Sequence, residues 1–373
     1  MKLFGKEVIF YFQNPPESDI VIFDESNSHH ITEYILDGIP SFIFVMRSEI
    51  KLYVSPSIIY NFLKSLCLFY WNREKTSKKF GLLRHYYLSC FQSIKPKVII
   101  TVIDNSSFFH WLSKNYKGPH FFSIQNGNRI NEQLDKMTKE YHQHFFCFGN
   151  YEKDRYKRFG HIIELCHPVG SLKAGYYKFN NRNKESIKKK YDIGIVSPYY
   201  NSMLEKGNPD LIKSLSLMYT YLAQFISEYN TKAVIFFHGQ GNHNNEIEYF
   251  NNFFDNNVEY IYQNYREFST YRGMDASEVV VAFCSTACIE AFGWGNKLLH
   301  CDFTGSNKYN DYDPMIMFTE TNYSAFKMRL NELINEPYKE YRERTKEYAS
   351  YLMNNDPDIP PHIYIRKKIE EYL

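Results

Sequence analysis

A hydroxyl pair, Ser285-Thr286, ends the apolar run Glu278-Val-Val-Val-Ala-Phe-Cys, and a carboxylate, Glu290, follows within the next helical pattern. A buried strand that stops at two hydroxyls places them, with the first free amides of a helix, at the carboxyl edge of a sheet. That edge and a helix N-terminus both favour phosphate. Glu290 falls one turn further on, in reach of a ribose hydroxyl pair if the phosphates sit at the helix start. Gly293 and Gly295 close the helix. The plainer alternative is a Ser-Thr helix cap with Glu290 solvated.

A second set of polar residues follows the apolar run Lys97–Ile103. Asp104 could serve as a general base on a hydroxyl or as a nucleophile, with Asn105 beside it; equally, the Asp-Asn pair could cap a helix starting near Ser106. The loop Gln125-Asn126-Gly127-Asn128-Arg129 gathers amides and a guanidinium around a glycine. That suits sugar hydroxyls, a carboxylate or a phosphate, and also suits a tight turn. His167-Pro168-Val169-Gly170-Ser171 lies at an expected crossover between domains. His238-Gly239-Gln240-Gly241 follows another strand, where His238 could meet a phosphate or a departing nucleotide. Ser197-Pro198-Tyr199 would line the same edge.

Other patterns carry less. Asn244 stands where a dinucleotide fingerprint needs its third glycine, which argues against a nicotinamide enzyme. Asp311-Tyr312-Asp313 is a D-x-D, but late in the chain and in a Tyr/Asn-rich loop. His29-His30, His142-Gln143-His144 and His238/His243 lack a third partner at ligand spacing, so no metal site is expected. No Walker, nucleophile-elbow or kinase motif occurs.

These residues need strands and helices to hold them. Short apolar bursts alternate with longer helical patterns, as in βαβ units with parallel strands. Strands are expected at Glu7–Phe12, Asp19–Phe23, Ser41–Met46, Lys97–Ile103, His120–Ile124 and His144–Phe148, then Tyr191–Val196, Ala233–Phe237, Glu259–Tyr262, Val279–Phe283 and Lys297–Cys301. Helices are expected near His29–Leu36, Pro56–Phe69, Gly81–Ser93, Ser106–Asn115, Asn131–Met137, Asp210–Glu228, Asn245–Asp255, Arg266–Met274 and Thr286–Gly293, with Glu336–Met353 and Pro361–Leu373 closing the chain. The expected class is α/β: a Rossmann-like domain over 1–170, a linker over 171–190, a second such domain over 191–345, and a helical segment over 346–373 that packs back on the first.

At 373 residues the chain exceeds what one core usually serves. A net charge of +2 argues against a dedicated nucleic-acid binder. The seven cysteines are scattered, with no C-x-x-C, and read as free thiols of a reducing compartment. No run approaches the roughly 20 apolar residues of a membrane span, and no signal peptide is read at the N-terminus. A cytoplasmic protein is expected. The stretch Trp71–Lys79 reads as an exposed loop, and its basic part Arg73–Lys79, flanked by Tyr70, Trp71 and Phe80, is an ordinary solvated face or a contact for anionic lipid.

The Glu278–Thr304 segment, with Lys97–Asp104, Asn105, Phe121–Arg129 and His167–Ser171, resembles the bacterial surface carbohydrate biosynthesis proteins. These are glycosyltransferases of GT-B type, with two Rossmann-like domains and C-terminal helices. The likeness spans most of Lys97–Phe303. It implies transfer of a sugar from a nucleotide-sugar donor to a surface polysaccharide or lipid-linked acceptor, with no obligatory metal or other cofactor. Some relatives use CMP-linked keto-sugars such as Kdo or a nonulosonate. It implies donor binding by the second domain (Ser197, Gly239, Ser285, Thr286 and Glu290, with His167 and Ser171 from the crossover). Acceptor binding falls to the first (Asn105, Gln125, Asn126, Gly127, Arg129), with Asp104 and His238 as the catalytic candidates. Peripheral contact with the cytoplasmic face of the inner membrane would fit a lipid-linked acceptor. The same fold also serves CDP-glycerol-type phosphotransferases and nucleotide-sugar epimerases, and a non-catalytic partner in polysaccharide assembly is the remaining alternative.

Overall fold

The computed structural model describes residues 2–3, 6–71, 81–182, 187–198, 208–237, 243–254, 258–264, 266–306, 308–309, 311–356 and 358–373. Packing divides the chain into two compact units: Met1–Asn126, Met137–Tyr176 and Asp356–Leu373 in unit 1, and Gly127–Lys136 with Tyr177–Asn355 in unit 2.

Unit 1 is built on a parallel six-stranded sheet in the order Phe42–Ile43, Ile20–Ile22, Val98–Thr101, His120–Ile124, Tyr141–Cys147, Ile162–Pro168. Its central strands are continuous runs of branched and aromatic residues because both faces are covered. Alternation sends Ile20, Ile22, Val98 and Ile100 to one face, packed with Ile365 and Ile369 of the C-terminal helix Pro361–Glu370. Val21, Ile99 and Phe121 go to the other, against Leu88 and Phe91 of the helix Gly81–Ile94. Ile365 and Ile369 are fully buried, worth roughly 1.5–3 kcal/mol each. A small sheet of Lys2–Leu3, Lys6–Tyr11 and Ile50–Tyr53 accompanies the main one. Strand order reverses between Ile20–Ile22 and Val98–Thr101, so the chain just past those strands, Asp24 and Asp104, marks the switch point of this unit.

Unit 2 carries a second six-stranded parallel sheet, in the order Val258–Ile261, Ala233–Phe236, Tyr191–Val196, Ser277–Ala282, Lys297–Cys301, Met317–Phe318. Counted along the chain this is 3-2-1-4-5-6, the doubly wound order of nucleotide-binding sheets. Its switch point lies between Tyr191–Val196 and Ser277–Ala282, immediately before Ser197 and Ser285-Thr286. The long helix Pro209–Tyr229 covers one side, started by Asn208, whose side chain accepts from the Asp210 amide.

Several elements depart from the sequence expectation. Leu172–Asn181 is a helix where a linker was expected. It buries Leu172, Ala174 and Tyr177, and Ser171 Oγ accepts from the Ala174 amide at 3.3 Å to start it. Asn150–Arg158 and Tyr323–Asn335 are also helices, and Ile50–Tyr53 is a strand. The first is so charged that its buried side, Tyr151 and Tyr156, gives little apolar signal. Of the expected loop Trp71–Lys79, all but Trp71 lies outside the described residues.

Candidate functional site

At the end of the strand Ser277–Ala282 the chain turns through Cys284, whose φ of 53° is left-handed. A non-glycine residue in this region costs energy and is held by its surroundings. Part of that support is His300, whose Nε2 receives the Cys284 amide at 3.4 Å. Burial pushes His300 down to about 4, so the ring stays neutral and keeps a lone pair for that amide. The helix Thr286–Gly293 then begins from Ser285 in an extended conformation, and Ser285 makes no side-chain cap hydrogen bond. The simple side-chain cap reading of Ser285 is therefore not what the structure has.

Thr286 is engaged from another part of the chain. Its Oγ1 accepts the Asn128 amide at 2.9 Å, and Asn128 Nδ2 donates to the Tyr312 hydroxyl at 2.6 Å. Arg129 Nη1 donates to the Gly127 carbonyl at 3.0 Å. A Cβ on Gly127 would stand 3.0 Å from Arg129 Nη1 and 3.4 Å from Thr286 Oγ1, so the glycine lets guanidinium, hydroxyl and backbone converge. Within unit 2 this joins an arginine to the start of an eight-residue helix, whose first amides carry partial positive charge. The combination suits an anion such as a nucleotide phosphate. Gly127 and Arg129 were expected on the acceptor side; they belong by packing to unit 2, with Thr286.

Glu290 is not solvated. It is 2% exposed and receives the Tyr271 hydroxyl at 2.8 Å. Tyr271 stacks on Tyr177, ring centroids 5.4 Å apart, and Tyr177 in turn donates to Asp275 at 2.9 Å. Ser197 is buried at the switch point, donating to Glu246 Oε1 at 2.6 Å; the other Glu246 oxygen lies 3.0 Å from His243 Nδ1. The D-x-D segment is irregular chain that leads into a turn at 314–316, where Asp313 accepts from the Met315 amide while Tyr312 is buried beside His300.

In unit 1, Asp104 is fully buried just past Val98–Thr101, and its Oδ1 faces the Asn126 amide at 3.4 Å. It does not cap the following helix: Ser106 does, accepting from the Phe109 amide. Asn105 is exposed. Gln125 is buried and accepts the Phe148 amide at 3.0 Å, tying two strand ends together. His167 stacks on Phe146 and His144 and contacts the Tyr364 hydroxyl; burial brings it to about 4. Ser171 serves the helix Leu172–Asn181, as described above.

The Asp104 carbonyl is held from below by a buried histidine. His110 Nε2 lies 2.7 Å from the Asp104 carbonyl and 3.3 Å from Glu140 Oε1, and its Nδ1 lies 3.0 Å from the Tyr141 carbonyl. Carbonyl oxygens only accept, so both ring nitrogens donate and His110 is an imidazolium. Burial opposes this charge, but the Glu140 carboxylate outweighs it and raises the His110 pKa. Burial likewise opposes ionisation of Glu140, yet hydrogen bonds from His110 and His142 bring it to about 2. His142 touches Glu140 Oε2 at 3.1 Å and Ser123 Oγ at 2.8 Å, and burial holds it near 4, neutral. His142 thus has the partners that its sequence neighbours did not suggest: ligand-capable atoms of His110, Glu140 and His142 lie within 4.8 Å of one another. As arranged, they form a buried network of ion pairs and hydrogen bonds.

His238 and Gly239, with Gln240, Gly241 and Tyr199, lie outside the described residues. Asn128, Tyr271, Tyr312 and the His110–Glu140 pair were not anticipated. Asn128 sat inside the recognised loop, whereas the others act through contacts distant in sequence.

No family model and no curated protein matches the chain. Its fold does have counterparts among solved structures. UDP-GlcNAc 2-epimerase from Methanocaldococcus jannaschii, in complex with UDP-GlcNAc and UDP, matches with a TM-score of 0.52 at 11% identity, over 94% of this chain and 99% of that one. The Neisseria meningitidis enzyme bound to UDP-GlcNAc gives 0.51 at 13% identity, over 95% and 98%. A variant of the wall teichoic acid polymerase TagF soaked with CDPG gives 0.50 at 11%, over 94% and 87%. The fold is therefore the GT-B fold, an α/β fold of two Rossmann-like domains.

Proposed function

We propose that this protein is an enzyme of nucleotide-activated sugars, and specifically a glycosyltransferase that passes a sugar from a nucleotide donor to a surface-glycan acceptor. The observation that carries the reading is the convergence of Thr286, Arg129 and the helix start at the switch point of a 3-2-1-4-5-6 sheet. In this reading the phosphates rest on the first amides of Thr286–Gly293 and on Arg129, which stabilise the charge left on the departing nucleotide. No metal is invoked for that role. Glu290, set by Tyr271, takes the ribose hydroxyls. Acceptor binding falls to unit 1, where Asp104 accepts the proton of the attacking hydroxyl, its main chain fixed by His110. His238 and Gly239 keep their proposed donor-side roles on sequence grounds alone.

For a lipid-linked acceptor, contact with a membrane surface is part of the proposal. It is supported by the helix Pro56–Trp71, which exposes Ile59, Tyr60, Leu63 and Leu68. No described helix is long and apolar enough to cross a membrane.

A second reading, a CDP-glycerol-type phosphotransferase or a nucleotide-sugar epimerase, is favoured by the TagF and epimerase likenesses themselves. Product analysis by mass spectrometry with CMP-, CDP- and UDP-linked donors, with and without glycan acceptor, separates them. Glycosyl transfer requires acceptor and gives a lengthened glycan. Epimerisation proceeds without acceptor, and phosphotransfer leaves phosphorus in the product. Donor binding with no turnover for any donor would overturn the enzymatic reading in favour of a binding partner.

A further inference from the structure

The carboxyl-edge site leaves unused a cavity of about 320 Å³ on the opposite edge of the unit 2 sheet. Lys178, Arg182, Lys189, Asp275, Tyr338 and Arg342 are among its lining residues. Lys189 precedes the strand Tyr191–Val196, and Asp275 precedes Ser277–Ala282. Since these strands are parallel, the cavity sits at their amino ends. A six-residue strand separates it from Thr286 by roughly 20 Å at about 3.3 Å per residue.

The charges in this cavity do not balance. Lys178 is paired with Asp275 at 2.6 and 2.7 Å. Among the described residues, the other three cations have no carboxylate partner in the lining. Lys189 Nζ donates to the Ser277 carbonyl at 2.7 Å and the Tyr338 hydroxyl at 2.6 Å. Arg342 Nε donates to the Gly295 carbonyl at 3.3 Å, its guanidinium 5.5 Å from the Tyr338 ring centre. Arg182 rests on the Phe179 ring at 3.7 Å. The adjacent Glu278 is already bonded to Lys297. Burial lowers Lys189 to about 8 against the pull of Glu278 and Asp275, so its ammonium is poorly compensated and would gain from an anion. Carbonyls and rings hold all three cations in place, which lowers the ordering cost of binding one.

We propose that this amino-edge cavity is a second anion site, built for a small molecule that carries a diphosphate. Three surplus positive charges match a diphosphate, and the volume lies at the small end of ligand pockets, below what a whole nucleotide sugar requires. The site is separate from the donor site of the proposed function and does not depend on it.

Calorimetric titration of the full chain with inorganic pyrophosphate tests the proposal. Arg182 and Arg342 have exposed side chains, so Arg182→Gln with Arg342→Gln preserves the fold, checked by circular dichroism. In an Arg129→Met background, which weakens the carboxyl edge, pyrophosphate still binds, and adding the two cavity substitutions lowers its affinity at least about tenfold. Pyrophosphate affinity unchanged by the cavity pair, or abolished by Arg129→Met alone, overturns the second site; the latter result leaves the donor site standing. Conversely, nucleotide affinity indifferent to Arg129→Met, with pyrophosphate lost in the cavity pair, refutes the donor site and retains this one.

Discussion

Replacing Glu140 by glutamine removes the carboxylate from a buried network while keeping its size. In the native chain His110 donates from both nitrogens and needs that counter-charge. The Glu140 carboxyl falls from an ordinary 4.5 to about 2, which at about 1.4 kcal/mol per tenfold corresponds to about 3 kcal/mol of stability. The known cost of breaking a buried pair, about 3–5 kcal/mol, is of the same order. The sign follows from the two directions. The Glu140 contribution is present above about 4.5 and is lost as pH falls through 2. The His110 contribution is present below 6.5 and is lost as pH rises through its raised value. Urea unfolding, followed by hydrogen exchange of peptides from the helix Ser107–Asn115 and the strand Tyr141–Cys147, isolates the unit 1 transition. At about pH 6 the variant should be less stable by about 3 kcal/mol, and the gap should close on acidification toward pH 2. A gap under about 1 kcal/mol, or one indifferent to acid, would refute an imidazolium–carboxylate pair at this place.

Asp104→Asn should abolish turnover while donor affinity persists, measured by product formation beside calorimetry; an active variant removes Asp104 from catalysis. Tyr271→Phe takes away the 2.8 Å hydrogen bond to buried Glu290. It should weaken nucleotide binding by about 1–2 kcal/mol, and unchanged affinity would detach Glu290 from the donor site. Gly293→Ala places a Cβ 2.3 Å from the Met353 Cβ, a clash at the end of the donor helix. A loss of about 1–3 kcal/mol is expected, seen as a lower melting temperature; a neutral effect would mean that this helix end can shift.

Much of the framework was legible because a parallel sheet covered on both faces writes itself as short apolar bursts. His120–Ile124, Tyr191–Val196, Thr286–Gly293 and Lys297–Cys301 have the expected bounds. Where an element is held by polar groups the pattern weakens. Asn150–Arg158 buries Glu152 and Arg155 together, and no apolar periodicity announces it. The helix Leu172–Asn181 hides behind the charged stretch that follows, and so reads as linker. The same division runs through the site. Ser285-Thr286 and the glycine loop at Gly127 are local signals, visible as hydroxyls before a helix and amides around a turn. Tyr271 on Glu290, Tyr312 on Asn128 and His110 on Asp104 join residues through the fold. No spacing rule in one sequence relates such partners. Ser197 illustrates the limit: its place at the sheet edge was readable, but its commitment to Glu246 was not.

The central claim is that nucleotide binds where Thr286 and Arg129 meet. Its most direct test is a calorimetric titration of CMP, CDP and UDP into the wild-type chain, Thr286→Ala and Arg129→Met. The account predicts that at least one of these nucleotides binds the wild type and that each substitution weakens it about tenfold or more while the fold persists. Affinity equal in all three proteins, or no nucleotide bound by any, would contradict it.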